Sequence, residues 1–258
     1  RDRPDSAQDR SLFGIPIIIK DNIAIEGEPT TAGSVALKTN IALQDSDVVS
    51  ALRQAGALIL ARANLSEWAN FRDNRSTSGW SSLGGQTKNP YDLSRTPCGS
   101  SAGSAAAVAL GYAPLALGTE TDGSIICPAA IHGLVGIKPT RKLISQMGVI
   151  PLARSQDVVG PIARNVRDAA LLLSAIVKPE YQERAESIRA AGKQPAKLHN
   201  IKLGVITNLG HSNASVNSAF DTLQRKLKGA GVQLVPVTFP NLRPIANGEI
   251  LTLYFEFR

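Results

Sequence analysis

Histidine and cysteine are scarce in this chain of 258 residues, and the scarcity narrows its chemistry. The three histidines, His132, His199 and His211, share no metal-ligand spacing such as H-x-x-x-H. None lies in a motif that would make it a catalytic base. The two cysteines, Cys98 and Cys127, are too few for a disulfide framework or a four-cysteine zinc site, and both read as small buried residues. A metal centre is therefore not expected. Aromatic residues make up 5% of the chain, which favours close-packed helices and strands over an aromatic-rich binding surface. No apolar run reaches the roughly 18–20 residues of a membrane-spanning helix. Residues 1–11 are charged and lack the apolar stretch of a signal peptide, and the first residue is Arg rather than Met. The expectation is that the natural N-terminus lies upstream.

What is present fits a soluble α/β protein. Hydrophobic residues are 43% and charged residues 19%, ordinary values for a chain able to bury a sizeable core. The formal charge of +7 admits a nucleic-acid partner. The basic residues are dispersed, however. The densest groups, Arg141 with Lys142 and Arg225 with Lys226 and Lys228, fall in a loop and on a helix face. Binding a phosphate backbone needs clustered charge, so these read as solvated surface, and neither a nucleic acid nor a membrane is expected as a partner.

Residues 14–20, Gly-Ile-Pro-Ile-Ile-Ile-Lys, read as a short buried strand that stops at a lysine. A helix is expected over 47–55, with Gly56 as its C-terminal glycine. A strand follows over 57–61, and Asn64 should open another helix with Trp68 facing inward. From Gly79 to Gly103 the chain is rich in Gly, Ser, Thr, Asn and Pro, the composition of a long loop, and such loops inside compact domains are usually functional. Further expectations are a buried helix over 104–110, a strand over 115–118, a second Gly/Ser/Thr turn over 119–128 and a helix over 163–177. Residues 181–197 read as a helix with a surface linker. A βαβ unit follows, with strands over 202–207 and 232–237 around a helix over 216–230. The sheet should be mixed or largely parallel.

Three segments carry potential chemistry. Lys20 ends an apolar strand, where desolvation would disfavour its ammonium and make it a base near neutral pH. The same lysine could instead snorkel its head into water or pair with Asp21. Gly99-Ser100-Ser101-Ala102-Gly103-Ser104 runs into a helix. It could present N–H groups to an anion or simply cap the helix, and it lacks the G-K-[ST] ending of a phosphate loop. Gly118-Thr119-Glu120-Thr121-Asp122-Gly123-Ser124-Ile125 follows a strand. It displays Ser124 on a tight turn whose N–H groups could form an oxyanion hole. The second glycine of a G-x-S-x-G elbow is missing, so the Ser-His-Asp class does not fit. A lysine and two displayed serines could instead form a Ser–Ser–Lys relay.

Taken in order, the motifs resemble the amidase signature family. They are Gly14-Ile-Pro-Ile-Ile-Ile-Lys-Asp-Asn22, Thr30-Thr-Ala-Gly-Ser34, Gly99-Ser-Ser-Ala-Gly-Ser104, Gly118-Thr-Glu-Thr-Asp-Gly-Ser124, Gly136-Ile-Lys-Pro-Thr140, Ser155-Gln-Asp157 and Gly160-Pro161. The resemblance covers roughly residues 12–175 and is weaker beyond. It implies a mixed β-sheet core flanked by helices on both faces, within one incomplete domain that has a βαβ continuation near 200–240. It assigns Ser124 as nucleophile, Ser100 as bridging serine held by a cis peptide, and Lys20 as terminal base. The N–H groups of Thr121, Asp122, Gly123 and Ser124 would form the oxyanion hole, and Trp68 and Asn70 would line the acyl pocket. No cofactor is implied. Cys98, Ala102, Asp122 and Ile126 stand where many members carry Gly, Gly, Gly and Arg. The Asp-Gly-Ser-Ile form is nearer to stand-alone and peptide amidases.

The expected activity is hydrolysis of a small carboxamide or peptide amide through an acyl-enzyme. Two alternatives stand beside it: the glutaminase subunit of a glutamyl-tRNA amidotransferase, and an inactive amidase fragment. Family members are longer, so the chain is expected to lack part of the sheet and one wall of the pocket.

Overall fold

The computed structural model describes residues 10–194, 198–208, 213–240 and 243–257. The charged N-terminal stretch up to residue 9, His211 and the end of the expected 181–197 linker lie outside these residues. The described residues form two compact units. The first runs to Lys193 and includes Phe255–Phe257, and the second covers the remainder up to Tyr254.

In the first unit the strand β1 (Pro16–Lys20) lies between β2 (Leu58–Ala63) and β5 (Leu115–Glu120), parallel to both. Being buried on both faces explains its unbroken isoleucines, since neither face meets water. Two-residue strands β3 (Trp80–Ser81) and β4 (Gly85–Gln86) pair with each other inside the long loop. The main sheet is completed by β6 (Val135–Gly136) and β7 (Val158–Ala163) in the order β2-β1-β5-β7-β6, with β7 antiparallel to both neighbours.

Alternation along the central strands assigns the helices to the two faces. Ile17, Ile19, Leu115 and Leu117 pack with α1 (Asp47–Gln54), α4 (Val166–Ala175) and α5 (Gln182–Lys193). Ile18 and Ala116 belong to the opposite side, with Val108 of α2 (Ala102–Ala109). Ala105 of α2 clusters in turn with Ala129 of α3 (Ile126–Ile131) and Ile162 of β7. Local chemistry sets the ends. Ser46 accepts a hydrogen bond from the Val49 N–H at the start of α1, and Gly56 takes a φ of +82° just past its end.

The second unit holds β8 (Lys202–Ile206) and β9 (Gln233–Val237), parallel and joined through α6 (Ala214–Gly229) as a βαβ unit. The helix α7 (Arg243–Glu256) follows.

Three sequence expectations need correction. No α-helix opens at Asn64, because its side chain is committed elsewhere. It donates to the Gly85 carbonyl at 3.1 Å and Thr87 Oγ1 at 3.0 Å, and accepts from Ser81 Oγ at 2.7 Å. Only a 3₁₀ turn over Glu67–Asn70 forms, with Trp68, Ala69 and Asn70 at φ values of 51°, 55° and 72°. Such backbone costs roughly 1–3 kcal/mol per residue and persists where the surroundings over-determine it. Second, β7 occupies 158–163, so the helix expected from Ala163 starts only at Val166, after the cap Asn165. The Gly160-Pro161 pair inside this strand hides it from propensity reasoning. Third, the turn expected over 119–128 is shorter, because β5 extends to Glu120 and α3 begins at Ile126.

Candidate active site

Lys20 ends β1 on the same side as Ile18, toward α2, and is fully buried. Its Nζ donates to Ser100 Oγ at 2.7 Å, Thr119 Oγ1 at 2.7 Å and the Thr119 carbonyl at 3.1 Å. Asn22 Nδ2 also donates to Thr119 Oγ1, at 3.0 Å. Burial lowers the Lys20 pKa to about 7, opposed by the negative charges of Asp157 and Glu120, which favour the ammonium. Near neutral pH the amine is thus substantially populated, with a lone pair that can accept the Ser100 proton. Neither a snorkelling lysine nor a Lys20–Asp21 pair is found. The Asp21 carboxylate instead accepts from Arg62 Nε at 2.8 Å and from the Thr31 hydroxyl.

The Gly99–Ser100 peptide is cis, and Ser100 is fully buried. Its carbonyl accepts from the Ser66 N–H at 3.1 Å. Gly103 sits against Asn64, where an added Cβ would come within 2.4 Å of the Asn64 carbonyl oxygen. The Ser101 N–H donates to the Ser124 carbonyl at 3.1 Å and the Gly103 N–H to the Asn64 carbonyl at 3.0 Å. Those two N–H groups are engaged within the protein and pack the helix start against Asn64 and the Ser124 turn.

Ser124 stands on the turn between β5 and α3. Gly123 before it takes a φ of +73°, a region that favours glycine. The buried Glu120 carboxylate accepts from the N–H groups of Ile125 at 2.6 Å and Ile126 at 2.9 Å, fixing the far side of the turn. Lys138 Nζ donates to the Thr121 carbonyl at 2.7 Å and lies 3.5 Å from Glu120 Oε1. The N–H groups of residues 121–124 have no acceptor among the described residues. Asp157 accepts from Thr121 Oγ1 at 2.5 Å and from the N–H groups of Leu152 at 2.8 Å and Ala153 at 3.0 Å. Sequence reasoning placed Glu120 and Asp157 within motifs but gave them no role. Their signal was a carboxylate at the end of an apolar strand and one just before another.

Ser100, Thr119, Thr121, Ser124 and Asp157 open on one cleft of about 370 Å³, closed on another side by Gly148–Leu152. The cleft brings Ser100 and Ser124 together. Among the described residues, however, the Ser124 hydroxyl makes no hydrogen bond to Ser100. Ala69 lines the cleft, whereas Trp68 lines an adjoining cavity with Phe71 and Phe257. Asn70 is placed in neither lining, and its Nδ2 donates to Ser78 Oγ at 3.4 Å.

Cys98 and Cys127 are not the separate buried residues expected from the sequence. Both are half-buried, and they are joined in a disulfide with a Cα–Cα distance of 6.0 Å. They lie 29 positions apart, and folding the two serine segments together brings them within bonding range.

A buried lysine on one serine hydroxyl, with a second serine on a glycine turn in the same cleft and no histidine in its lining among the described residues, defines a serine–lysine site on a mixed α/β scaffold. The family model described as Amidase matches residues 1–258, and the chain belongs to the amidase family. It is 39% identical over 272 aligned residues to a probable amidase of Arabidopsis thaliana, covering 100% of this chain and 52% of that protein. It is 47% identical over 199 residues to a glutamyl-tRNA(Gln) amidotransferase subunit of Symbiobacterium thermophilum, covering 75% of this chain and 40% of that protein. The fold matches the crystal structure of native peptide amidase from Stenotrophomonas maltophilia with a TM-score of 0.85 at 43% identity, covering 95% of this chain and 52% of that one. The chain thus spans about half the length of these relatives or less.

Proposed function

We propose that this chain forms the acyl-transfer site of an amide hydrolase, with Ser124 as nucleophile, Ser100 as bridge and Lys20 as base. The observation that carries this reading is the 2.7 Å hydrogen bond between Ser100 Oγ and a fully buried lysine whose pKa is lowered to about 7. In the acylation step neutral Lys20 takes the Ser100 proton as Ser100 takes the Ser124 proton. Ser124 Oγ then bonds to the carbonyl carbon. The charge that develops on the carbonyl oxygen is received by the N–H groups of residues 121–124, which have no acceptor among the described residues. Collapse of the tetrahedral intermediate breaks the C–N bond, and the departing ammonia or amine takes the proton back through the relay. Water, deprotonated along the same path, releases the acid and regenerates Ser124.

Small carboxamides and peptide amides are the proposed substrates, in line with the likeness to peptide amidase. Trp68 keeps a proposed role in the outer part of the substrate site, beside the cleft rather than in it, whereas Asn70 supports the turn. The described elements up to α4 form the signature core of the proposed domain, with the βαβ unit as its continuation.

The likeness to the amidotransferase protein favours a second reading, a glutaminase working with partner subunits. Glutamine hydrolysis that appears only with those partners and tRNA would select it. Hydrolysis of carboxamides or peptide amides by the chain alone would select the first.

Labelling with a fluorophosphonate followed by peptide mass mapping tests the site itself. An adduct on Ser124 that is lost in Ser124→Ala is expected. A folded protein that takes no label, or takes it elsewhere, removes the assignment.

A further inference from the structure

Two segments 24 positions apart must hold Ser100 and Ser124 in register, and their direct non-covalent contacts gather on the β5 side of the site. One backbone hydrogen bond links them, from the Ser101 N–H to the Ser124 carbonyl at 3.1 Å. The Ser101 hydroxyl also accepts from the Thr119 N–H at 3.3 Å and donates to the Thr119 carbonyl at 3.2 Å, and Ala105 packs with Ile125. Each segment has further anchors of its own. The Ser100 side is held by Lys20 and Ser66, and Gly99 is wedged so that an added Cβ would meet Ser66 Oγ at 2.3 Å. The Ser124 side is held by Glu120 through the N–H groups of Ile125 and Ile126. A proton relay tolerates little error in this spacing, because hydrogen-bond transfer needs heavy atoms near 3 Å.

The disulfide adds the covalent link between them, on the far side of both serines from β5 in sequence. Cys98 stands two residues before Ser100, in left-handed backbone at a φ of 52°. Cys127 stands one helical turn after Ser124, and its N–H donates to the Gly123 carbonyl at 2.8 Å. Their sulfurs bond to each other, so a covalent strap ties the bridging-serine segment to the nucleophile turn.

We infer that the Cys98–Cys127 disulfide is a positioning element of the relay, setting the approach of Ser100 to Ser124. The inference rests on the hydrolase reading of this site. Opening the strap by a dithiol is a balanced exchange. The S–S bond breaks, two electrons and two protons pass to the cysteines as thiols, and the dithiol closes to its own disulfide. Both cysteines are half-buried, so a small dithiol can reach them. Once the strap is open, each segment keeps its own anchors and the fold persists, but the serine–serine spacing loosens.

The test compares the oxidised full chain, the same protein treated with dithiothreitol, and a Cys98→Ser, Cys127→Ser double variant. The readouts are kcat and KM on an amide substrate, the fluorophosphonate labelling rate at Ser124, and the melting curve. Reduction is expected to lower kcat and labelling by about 10- to 100-fold, the scale of a misplacement near 1 Å, with KM within about two-fold. Reoxidation should restore both, and the double variant should be slow and indifferent to the reductant. A kcat within two-fold of the oxidised value overturns the inference. So does a loss confined to KM, or one that tracks unfolding in the melting curve, because either marks a merely structural bond. An oxidised, folded protein that neither turns over nor takes label overturns the hydrolase reading, and the strap's role with it.

Discussion

The two parallel pairings of this chain are built from similar residues and end in different states. In the first unit, β1 carries Ile17, Ile18 and Ile19, all 4% exposed or less, and every residue of its neighbour β5 is buried. In the second, β8 and β9 are also aliphatic and parallel, yet Val235 is 39% and Leu203 38% exposed. Strand chemistry alone does not distinguish them. What differs is cover, for helices lie against both faces of β1 and β5. Cover also gives the first region its chemistry. Lys20, at the covered end of β1, has its pKa lowered to about 7 by burial.

The largest expected effect that would break this contrast is the loss of the nucleophile. Ser124→Ala should reduce kcat on an amide substrate by about 10⁴- to 10⁶-fold in a protein that still melts normally. A retained rate would place the chemistry outside the covered sheet. Next, Lys20→Ala should lower kcat by roughly 10²- to 10⁴-fold, the usual contribution of a positioned base. If the rate survives, burial of this lysine serves packing alone.

Stability sharpens the comparison directly. Leu117→Ala, in the core of β5, should cost roughly 2–5 kcal/mol in denaturant unfolding. Val235→Ala on β9 should cost less than about 1 kcal/mol, as expected for an exposed site. Equal costs would mean that β9 is covered as well as β5.

The smallest effect is a displacement of the pH profile. The base acts as a neutral amine, so activity should rise with pH through about 7 and fall as the amine protonates below it. Asp157 favours the ammonium and so raises this pKa. Removing its charge in Asp157→Asn should therefore move the acidic limb of kcat/KM to lower pH. A limb that stays in place, or moves up, would show that Lys20 does not set it.

Much of the scaffold was legible in the residues. The strand within 14–20, the helix over 47–55 and the βαβ unit follow from apolar patterning and glycine placement, both of them local. The ordered motifs were enough to resemble the family. The strand at 158–163 was not legible, because Gly160 and Pro161 argue locally against a strand, and only pairing with β5 and β6 overrides them. The turn at Trp68 was hidden for a related reason, since the Asn64 side chain finds its partners 15 or more positions away.

By itself the sequence determined which groups could do chemistry: a lysine closing an isoleucine strand, two serines on glycine-rich turns, and no histidine suited to replace that lysine. Tertiary structure alone decided their state. Packing between two layers of helices strips water from Lys20 and shifts its proton affinity. The crossing of chain segments 80 positions apart gives it Ser100 as a partner. The same crossing brings Cys98 within 6.0 Å of Cys127, Cα to Cα, turning two scarce residues into a covalent strap. Desolvation and contact between distant segments are properties of the assembled core, and no local pattern encodes them.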